Sequence, residues 1–397
     1  MKVALAYSGG LDTSVMIKWL QEKYGAEVYT VTLDVGQGED LEAVAAKARR
    51  LGAVEHFTID ARREFVEGYV YPAIKANALY EGKYPVSTAL SRPLIARKLV
   101  EVAERVGADA VAHGCTGRGN DQVRIEVTVK ALNPELKVIA PVREWGLTRE
   151  AEVEYAKRHG IPIPERRSVY SVDQNLWGRS IECGPLEDPA EEPPEEVFEW
   201  TVPPEGAPEA PAYVSIAFKA GVPVELNGEE LDGVELIGRL NKLAGLNGVG
   251  RIDHVEDRLV GFKSREVYEC PAATCILEAH KDLEKLVLTR CELFFKELVD
   301  REWTWLVYAG LWEDPLREDL EAFIDSCQAR VEGEVKLKLH RGSVRVVARA
   351  SPYSLYERDL ATYAGPSAID QSWSKGFIEL WGLQSAVARR RLRGVGR

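Results

Sequence analysis

The sequence predicts an α/β fold with an N-terminal parallel-sheet domain, a second α+β domain and a C-terminal helical tail. Over the first 159 residues, short β-rich runs alternate with helical patterns, which is typical of a parallel sheet with crossover helices. A segment dense in proline and glutamate follows at 185–211, and antiparallel strand patterns come after it. At 397 residues the chain also exceeds what one hydrophobic core usually serves, which favours two large domains.

The first domain is predicted element by element from its hydrophobic patterning. The predicted strands are the β-rich runs at 3–7, 27–35, 54–60, 109–114 and 137–142. Apolar residues spaced three and four apart predict intervening helices at 13–24, 41–51, 91–106 and 148–158. The alternation stops around Pro162 and Pro164, so we expect this domain to span residues 1–165.

The second domain is expected to span residues 166–362 and to begin with a surface excursion at 185–211. Its predicted antiparallel strands are the runs at 213–221, 223–228, 335–340 and 344–350. A long helical stretch is predicted near 282–300, between the two pairs of strands.

The tail, residues 363–397, has an apolar helical face and ends in the arginines Arg389, Arg390, Arg391, Arg393 and Arg397. A basic end is compatible with nucleic-acid binding. However, a terminal amphipathic helix more often packs on a partner subunit, where arginines can pair with the surface of an acidic chain. We therefore interpret the tail as an oligomerisation helix.

Composition narrows the class of protein. The hydrophobic fraction of 45% and the charged fraction of 29% are ordinary for a globular protein, and the net charge of −12 opposes broad contact with a polyanion. The six cysteines form no C-x-x-C pair, and the first residues have a strand pattern instead of a secretory signal. No uncharged apolar run approaches the roughly 20 residues of a membrane helix. We expect a cytoplasmic protein with reduced thiols that binds neither membrane nor nucleic acid.

A glycine loop between the first strand and the first helix carries the strongest chemical signal. Residues 8–14 read SGGLDTS, and a helical pattern starts at once. Two glycines let the backbone turn tightly, while the N–H groups that begin a helix are unpaired and the helix dipole favours negative charge there. Ser8, Thr13 and Ser14 add hydroxyl donors. The loop therefore predicts a binding site for pyrophosphate.

Other interpretations of this loop require different motifs. A Walker loop needs G-K-[ST] and a dinucleotide fold needs G-x-G-x-x-G, and neither occurs at this position. A tight turn followed by a capped helix is the structural alternative. Because Asp12 by itself would repel phosphate, we expect it either to cap the helix or to act through Mg²⁺.

A second polar loop, GCTGRGNDQVR at 114–124, follows the predicted strand at 109–114. The carboxyl ends of strands are where α/β sheets bind ligands. Thr116, Asn120, Asp121 and Arg124 supply donors, acceptors and both charges, as recognition of an amino acid requires. A solvated polar loop explains the same composition. His113, at the end of the same strand, is better interpreted as a structural histidine than as an acid or base.

The SGGLDTS loop resembles that of the N-type ATP pyrophosphatases, which cleave ATP between its α and β phosphates. Within that superfamily, GCTGRGNDQVR resembles the argininosuccinate synthase family. Further segments similar to the family are TALSRPLIARK, YSVDQNLWGRSIECG, GRIDHVEDRLVGFKSREVYE, SPYSLY and GFIELWGL, so the resemblance covers nearly the whole chain. The stretch PERRSV at 164–169 looks unusual for the family.

The resemblance implies a set of site residues. ATP would lie against Ala6, Tyr7, Ser8, Gly9, Gly10, Leu11, Asp12, Thr13 and Ser14, with contributions from Leu33 and Gly114. Aspartate would be bound by Thr116, Asn120 and Asp121, and citrulline by Tyr84, Thr88, Asn120, Arg124, Ser171, Ser180, Glu256 and Tyr268. The residues implied as catalytic are Asp12, Arg92 and Asp121. The family also implies Mg²⁺ alongside ATP and a homotetrameric assembly.

The implied reaction belongs to arginine biosynthesis. The ureido oxygen of citrulline would attack the α-phosphorus of ATP, and the amine of aspartate would then displace AMP. Glu256 can pair with the citrulline ammonium and Arg124 with its carboxylate, while Asp121 or a phosphate oxygen would accept the amine proton. Effective positioning alone can supply several kcal/mol in such a site, and no protein nucleophile is needed.

The residues also have plainer interpretations. Without the resemblance, Tyr84 and Tyr268 are half-buried aromatics, Ser171 and Ser180 are turn residues, and Glu256 is a solvated charge. Two rival functions share the phosphate loop. One is an adenylating enzyme that acts on another acceptor, such as a tRNA-thiolating or amidating relative, and the other is a non-catalytic adenylate-binding module.

Overall fold

The computed structural model describes residues 1–146, 149–163, 168–364 and 368–395. Its contacts divide the chain into two compact units, Met1–Tyr353 and Ser354–Arg397. The predicted division into three domains stays a prediction, and the boundary expected between residues 165 and 166 lies outside the described residues, as does most of the PERRSV stretch.

The described ranges contain three sheets, connected mainly by helices. The strands are β1 (Lys2–Ala6), β2 (Glu27–Asp34), β3 (Glu55–Asp60), β4 (Ala110–Ala112), β5 (Lys137–Ile139), β6 (Ser171–Asn175), β7 (Gly178–Glu182), β8 (Ala212–Lys219), β9 (Val222–Leu226), β10 (Glu229–Glu230), β11 (Arg251–Asp257), β12 (Lys263–Glu269), β13 (Gly333–His340) and β14 (Ser343–Ala350). The helices are α1 (Leu11–Tyr24), α2 (Leu41–Arg50), α3 (Arg62–Phe65), α4 (Tyr71–Lys75), α5 (Ser87–Val106), α6 (Asp121–Leu132), α7 (Pro141–Trp145), α8 (Arg149–Arg158), α9 (Gly233–Leu246), α10 (Pro271–Val287), α11 (Arg290–Tyr308), α12 (Pro315–Gln328), α13 (Arg358–Ala361), α14 (Trp373–Trp381) and α15 (Leu383–Val395).

The first sheet has the order β3-β2-β1-β4-β5 and is parallel throughout, which confirms the predicted α/β class. Each predicted strand and helix of this region matches an observed element, although Thr148, the predicted start of α8, is outside the described residues. The chain runs from β1 outward to β3 and then returns to β4 on the other side of β1. The loops after β1 and β4 therefore flank the switch point, where such sheets bind ligands.

The second sheet, β10-β9-β8-β13-β14, is antiparallel and contains the predicted strands of the second domain. The prediction of one helical stretch near 282–300 is wrong in detail, because α10 ends at Val287 and α11 begins at Arg290. Thr289 starts the new helix through a capping box with Glu292, which satisfies N–H groups at its first turn.

The third sheet, β11-β12-β7-β6, is antiparallel and was not predicted from the sequence. The proline-rich excursion at 185–211 runs beside it as short 3₁₀ turns. This excursion is fixed by the buried carboxylate of Glu269, which accepts hydrogen bonds from the backbone N–H groups of Glu199, Trp200 and Thr201. The segment that the sequence predicted to be a surface excursion is therefore hydrogen-bonded to β12 of this sheet.

The C-terminal unit contains α13, α14 and α15, and its described side chains from Leu355 onward are exposed. Its apolar residues include Trp373, Phe377 and Trp381, while Arg397 is outside the described residues. The six cysteines are all described and none forms a disulfide. Among the described residues no helix is long and apolar enough to cross a membrane.

Candidate active site

The glycine loop after β1 has the geometry of an anion-binding turn. Gly9 has φ of +78°, and a Cβ there would lie 2.9 Å from Cγ2 of Val44, so both conformation and space require glycine. Gly10 is the N-cap of α1 and no side chain caps the helix, so the N–H groups of its first turn remain available. The ammonium of Lys47 on α2 donates to the carbonyl oxygen of Gly9 at 2.7 Å and so connects the loop to α2.

The hydroxyl groups of the loop serve two different purposes. Ser8 Oγ and Thr13 Oγ1 lie 3.2 Å apart, and because Ser8 is exposed whereas Thr13 is buried, the Ser8 hydroxyl is the more accessible of the two to a ligand. The hydroxyl of the buried Ser14 donates to the Gly10 carbonyl oxygen at 2.6 Å and contacts the Tyr7 hydroxyl at 3.2 Å, which makes it part of the loop's internal support. The remaining predicted nucleotide contacts surround this turn: Ala6 ends β1, Leu11 begins α1, Leu33 lies near the end of β2, and Gly114 packs on Thr13 and Met16.

A cavity of about 350 Å³ opens beside the first turn of α1 and joins three of the predicted residues. Asp12 from α1, Thr116 from the loop after β4, and Ser171 at the start of β6 all line it. Asp12 is exposed and does not cap the helix, since Gly10 is the N-cap, which removes the capping role that the sequence left open. The cavity thus connects the phosphate loop to the second polar loop and to the third sheet.

Asp121, the first residue of α6, is held between two guanidinium groups. Arg92 Nε donates to Oδ2 of Asp121 at 2.8 Å, and Arg124 Nη1 donates to Oδ1 at 2.9 Å. Arg92 also forms an ion pair with Asp173 on β6 at 2.7 Å. Burial acts to raise the pKa of Asp121, but Arg92 and Arg124 outweigh it and hold the pKa below its ordinary value. Asp121 is therefore an ionised, firmly oriented carboxylate.

Arg124 has one guanidinium nitrogen without a partner. Its Nε donates to the carbonyl oxygen of Tyr308 at 3.0 Å and its Nη1 is used by Asp121, but Nη2 is buried and has no hydrogen bond within the described ranges. Gly310 allows this packing, because its φ is +77° and a Cβ there would lie 2.8 Å from Cα of Arg124. A buried, unsatisfied cationic donor is costly, so Nη2 is suited to a ligand carboxylate.

A second buried carboxylate, Glu256 on β11, is surrounded by phenols. Tyr308 and Tyr268 donate to its two oxygens at 2.6 and 2.7 Å. The amide nitrogen of Asn120 in turn donates to the Tyr308 hydroxyl at 2.9 Å, while Oδ1 of Asn120 accepts from the backbone N–H of Leu259 at 2.9 Å. This network joins the start of α6 to β11, β12 and the end of α11.

Three more of the predicted citrulline residues, Tyr84, Thr88 and Ser180, belong to the same network. Tyr84 stacks on Tyr268 with ring centroids 4.3 Å apart, and its hydroxyl accepts from the backbone N–H of Thr88 at 2.8 Å. Thr88 Oγ1 lies 3.0 Å from Oγ of Ser180, which is paired with Tyr268 across β7 and β12. The structure thus brings Tyr84, Thr88, Asn120, Arg124, Ser180, Glu256 and Tyr268 together, whereas Ser171 lies in the cavity with Asp12.

Several residues of the network were missed by sequence reasoning. Tyr308, Lys47, Asp173 and Glu266 all contact predicted site residues. Tyr308 is the last residue of an otherwise ordinary helix, so the sequence carried no signal for it. His113 is buried; its Nδ1 accepts from the backbone N–H of Cys115 at 3.2 Å and its Nε2 lies 3.1 Å from Glu126, and its structural role stays a prediction.

Comparisons with known proteins identify the family of the chain. The family model of the arginosuccinate synthase N-terminal HUP domain matches residues 2–162, and that of the arginosuccinate synthase C-terminal domain matches residues 170–388. The argininosuccinate synthase of Pyrococcus furiosus is 60% identical, with 100% of this chain and 96% of the relative covered. Those of Pyrobaculum aerophilum and Rubrobacter xylanophilus are each 58% identical and cover 98% and 96% of this chain, and 98% and 93% of their own lengths. The chain therefore belongs to the argininosuccinate synthase family.

Proposed function

We propose that this chain joins citrulline to aspartate, with cleavage of ATP to AMP and pyrophosphate, and so acts as an argininosuccinate synthase in arginine biosynthesis. The observation that carries this proposal is the pairing of a phosphate loop with two oppositely charged amino-acid anchors, Arg124 Nη2 and Glu256. A module that only binds an adenylate would not need the two amino-acid anchors.

The loop at Ser8–Ser14 binds the β and γ phosphates. Its backbone N–H groups and the Ser8 and Thr13 hydroxyls stabilise the charge that develops on pyrophosphate as it leaves. The ureido carbon of citrulline is unreactive because nitrogen donates electrons to it and oxygen leaves poorly. Transfer of AMP to the ureido oxygen corrects both problems, and the aspartate amine then attacks the carbon of citrullyl-AMP and releases AMP.

The chain's residues fit a Mg²⁺ ion that accompanies ATP. Such an ion is usually held by one or two carboxylates together with substrate phosphates, and seldom by a cage of protein ligands. The exposed Asp12 offers one carboxylate beside the loop, and no cluster of three or more metal-ligating side chains occurs in the residues that the structure describes. When bound, Mg²⁺ would neutralise charge on the departing pyrophosphate.

Citrulline binds at the network around Glu256. The carboxyl group of Glu256 pairs with its ammonium, and the unsatisfied Nη2 of Arg124 pairs with its carboxylate. The stacked rings of Tyr84 and Tyr268 give the site a rigid wall, and the hydroxyls of Thr88 and Ser180 orient the neutral ureido end. Buried, hydrogen-bonded groups of this kind discriminate well against molecules that leave them unpaired.

Aspartate binds on the other side of the Arg92–Asp121 pair, with Thr116, Asn120 and Asp121. Because Arg92 and Arg124 keep the pKa of Asp121 low, this carboxylate is a weak base. We assign Asp121 to orienting the amine and a phosphate oxygen of the adenylate to accepting its proton. An Asp121→Asn variant should therefore impair use of aspartate more than use of citrulline.

A labelling experiment tests the reaction directly. Citrulline carrying ¹⁸O in its ureido oxygen is incubated with aspartate and Mg-ATP, and the phosphate of the AMP formed is analysed by mass spectrometry. We expect one ¹⁸O atom per AMP, because the ureido oxygen stays on phosphorus when the carbon is attacked. Unlabelled AMP, or AMP formed without citrulline, would refute the mechanism, and turnover that depends on tRNA would instead support the thiolating rival.

We propose in addition a homotetramer in the cytoplasm, assembled through the tail at 363–397, with a nucleotide-binding domain at 1–165 and a synthetase domain at 166–362. The exposed apolar residues of α14 and α15 support this role for the tail. Deletion of residues 376–397 should lower the mass measured by analytical ultracentrifugation, and an unchanged mass would refute it. We also expect the protein to bind neither membrane nor nucleic acid.

A further inference from the structure

A second carboxyl group touches the Glu256 network without a place in the proposed function. Glu266 lies on β12 two residues before Tyr268, so both side chains point to the same face of the sheet. The Tyr268 hydroxyl is 2.7 Å from Oε2 of Glu256 and 2.9 Å from Oε2 of Glu266. The two carboxyl groups are therefore connected through one phenol.

One phenol cannot donate to both groups. Burial and the carboxyls of Glu266 and Glu256 raise the pKa of Tyr268, so its hydroxyl keeps its single proton. If both carboxyls were ionised, one of the two contacts would bring oxygen lone pairs together with no proton between them, beside a second negative charge. The geometry therefore requires one additional proton, on Glu256 or on Glu266.

The surroundings place this proton on Glu266. Glu256 accepts from Tyr308 at 2.6 Å as well as from Tyr268, and donors of this kind favour an ionised carboxylate. Within the described ranges Glu266 has one cationic partner, Arg258 at 2.9 Å, and the same guanidinium nitrogen also binds Glu182. Burial, Glu256 and Glu182 together raise the pKa of Glu266 to about 8.

We propose that Glu266 is a positioning residue, whose protonated carboxyl donates to the Tyr268 hydroxyl and thereby commits that hydroxyl to Glu256, the anchor of the citrulline ammonium. This inference rests on the proposed function. When Glu266 loses its proton, Tyr268 has two competing anionic acceptors and no longer orients Glu256. The titratable or charged groups that face Glu266 are Arg258, Glu182, Glu256, Tyr268, Tyr84 and, across the strand pair, His254.

Glu266→Gln keeps a hydrogen-bond donor like that of the protonated acid but cannot become negatively charged. The amide N–H₂ can donate to Tyr268 and the amide oxygen can accept from Arg258 at every pH, so the variant imitates the protonated acid. We measure kcat/KM for citrulline between pH 6.5 and 9.5, at saturating aspartate and Mg-ATP, and compare the two proteins as a ratio. Ionisation of the substrates and of groups other than Glu266 cancels in that ratio.

Below pH 7 we expect the ratio of wild type to Glu266→Gln to be close to one. It should then fall with an apparent pKa near 8, reaching about one tenth at pH 9, because only about a tenth of the acid is still protonated there. The effect should lie in the KM for citrulline, with kcat at saturation equal in the two proteins. Glu266→Ala should lose citrulline affinity at every pH, and Glu230→Gln, an exposed glutamate on β10, should follow wild type throughout.

Two outcomes of the kinetics would overturn the inference. An alkaline fall that persists in Glu266→Gln would mean that another group titrates. A rise in the citrulline affinity of wild type above pH 8 would mean that Glu266 acts as a negative charge that attracts the ammonium, and not as a donor.

Thermal unfolding without substrates tests the protonation independently of turnover. A folded-state pKa of about 8 against an ordinary value of 4.5 means that wild type loses stability as pH rises from about 4.5 to about 8. Glu266→Gln should lack this part of the loss. Equal pH profiles of unfolding, with citrulline turnover intact, overturn the inference and leave the proposed function standing. A clear difference in unfolding without any citrulline turnover refutes the proposed function and, with it, the role assigned to Glu266.

Discussion

The phenol of Tyr308 offers a sharp test of the citrulline site, because the residue was found only in the structure. Its hydroxyl donates to Glu256 at 2.6 Å and accepts from the amide of Asn120 at 2.9 Å. Tyr308→Phe keeps the ring that packs on Tyr80 with centroids 3.5 Å apart, and removes only the oxygen. The variant therefore removes these two hydrogen bonds and a longer contact, 3.1 Å, with the carbonyl oxygen of Asp257, and it changes little of the packing.

The size of the effect follows from those two bonds. A hydrogen bond to a charged group contributes about 1.5–3 kcal/mol, and Glu256 loses one of its two phenolic donors. Asn120 keeps its bond to Leu259 but loses the acceptor of a buried N–H. Since about 1.4 kcal/mol corresponds to a factor of ten in affinity, we expect the KM for citrulline to rise about 10- to 100-fold.

Steady-state kinetics with each substrate varied in turn measures this effect. The KM for ATP should stay within about two-fold of wild type, because no hydrogen bond or ring contact among the described residues joins Tyr308 to the phosphate loop. Tyr213→Phe, which removes an exposed phenolic hydroxyl on β8, is the matched control. It should leave the KM values for ATP, citrulline and aspartate unchanged. An unchanged citrulline KM in Tyr308→Phe would show that Glu256 does not anchor citrulline through this network.

Three further perturbations test other parts of the structure. Lys47→Met removes the ammonium that donates to the Gly9 carbonyl oxygen, and should raise the KM for ATP roughly ten-fold while the KM for citrulline is unchanged. Gly310→Ala forces a side chain at φ of +77° to within 2.8 Å of Cα of Arg124, and chemical denaturation should show a loss on the order of 3 kcal/mol in the free energy of unfolding. For Asp300, burial raises the pKa to about 7, so the folded state loses stability as pH rises from about 4 to about 7, and Asp300→Asn should flatten that part of a melting-temperature profile.

Each of these variants has a matched control in the chain. Lys242→Met removes an exposed lysine and should leave the KM for ATP unchanged. Gly228→Ala introduces a side chain at φ of +80° where nothing lies within 4 Å, so it isolates backbone strain from the clash at Gly310. Asp319→Asn changes an exposed carboxylate, so its melting temperature should vary with pH as that of wild type does. Equal effects of a variant and its control would contradict the corresponding prediction.

The parallel sheet and its phosphate loop could be predicted because their sequence signals are local. The central strands β1, β2 and β4 are buried on both faces, so their apolar runs are nearly continuous and separate clearly from the helices. Gly9 and Gly10 mark the turn directly, since a positive φ and the close side chain of Val44 favour glycine at position 9.

The third sheet could not be predicted in the same way, because its site-facing side chains are polar. β6 reads SVDQN and β11 reads RIDHVED, and such runs lack the apolar alternation that identifies a strand. The residues that interrupt the pattern include Glu256, which is buried only because Tyr268 and Tyr308 satisfy it. Local rules fail here because function has replaced the hydrophobic residues that those rules detect.

Asn120 shows what the structure adds to a motif that the sequence already identified. Its Oδ1 accepts from Leu259, and one of its two amide protons goes to Tyr308, so two of its contacts join α6 to the third sheet and to α11. One amide proton remains for a ligand. The family resemblance assigns this residue to both citrulline and aspartate, yet a single free N–H cannot be aimed fully at each of them. We therefore expect Asn120 to serve the substrates chiefly by holding Asp121 and Arg124, on the helix that follows it, in register with Glu256.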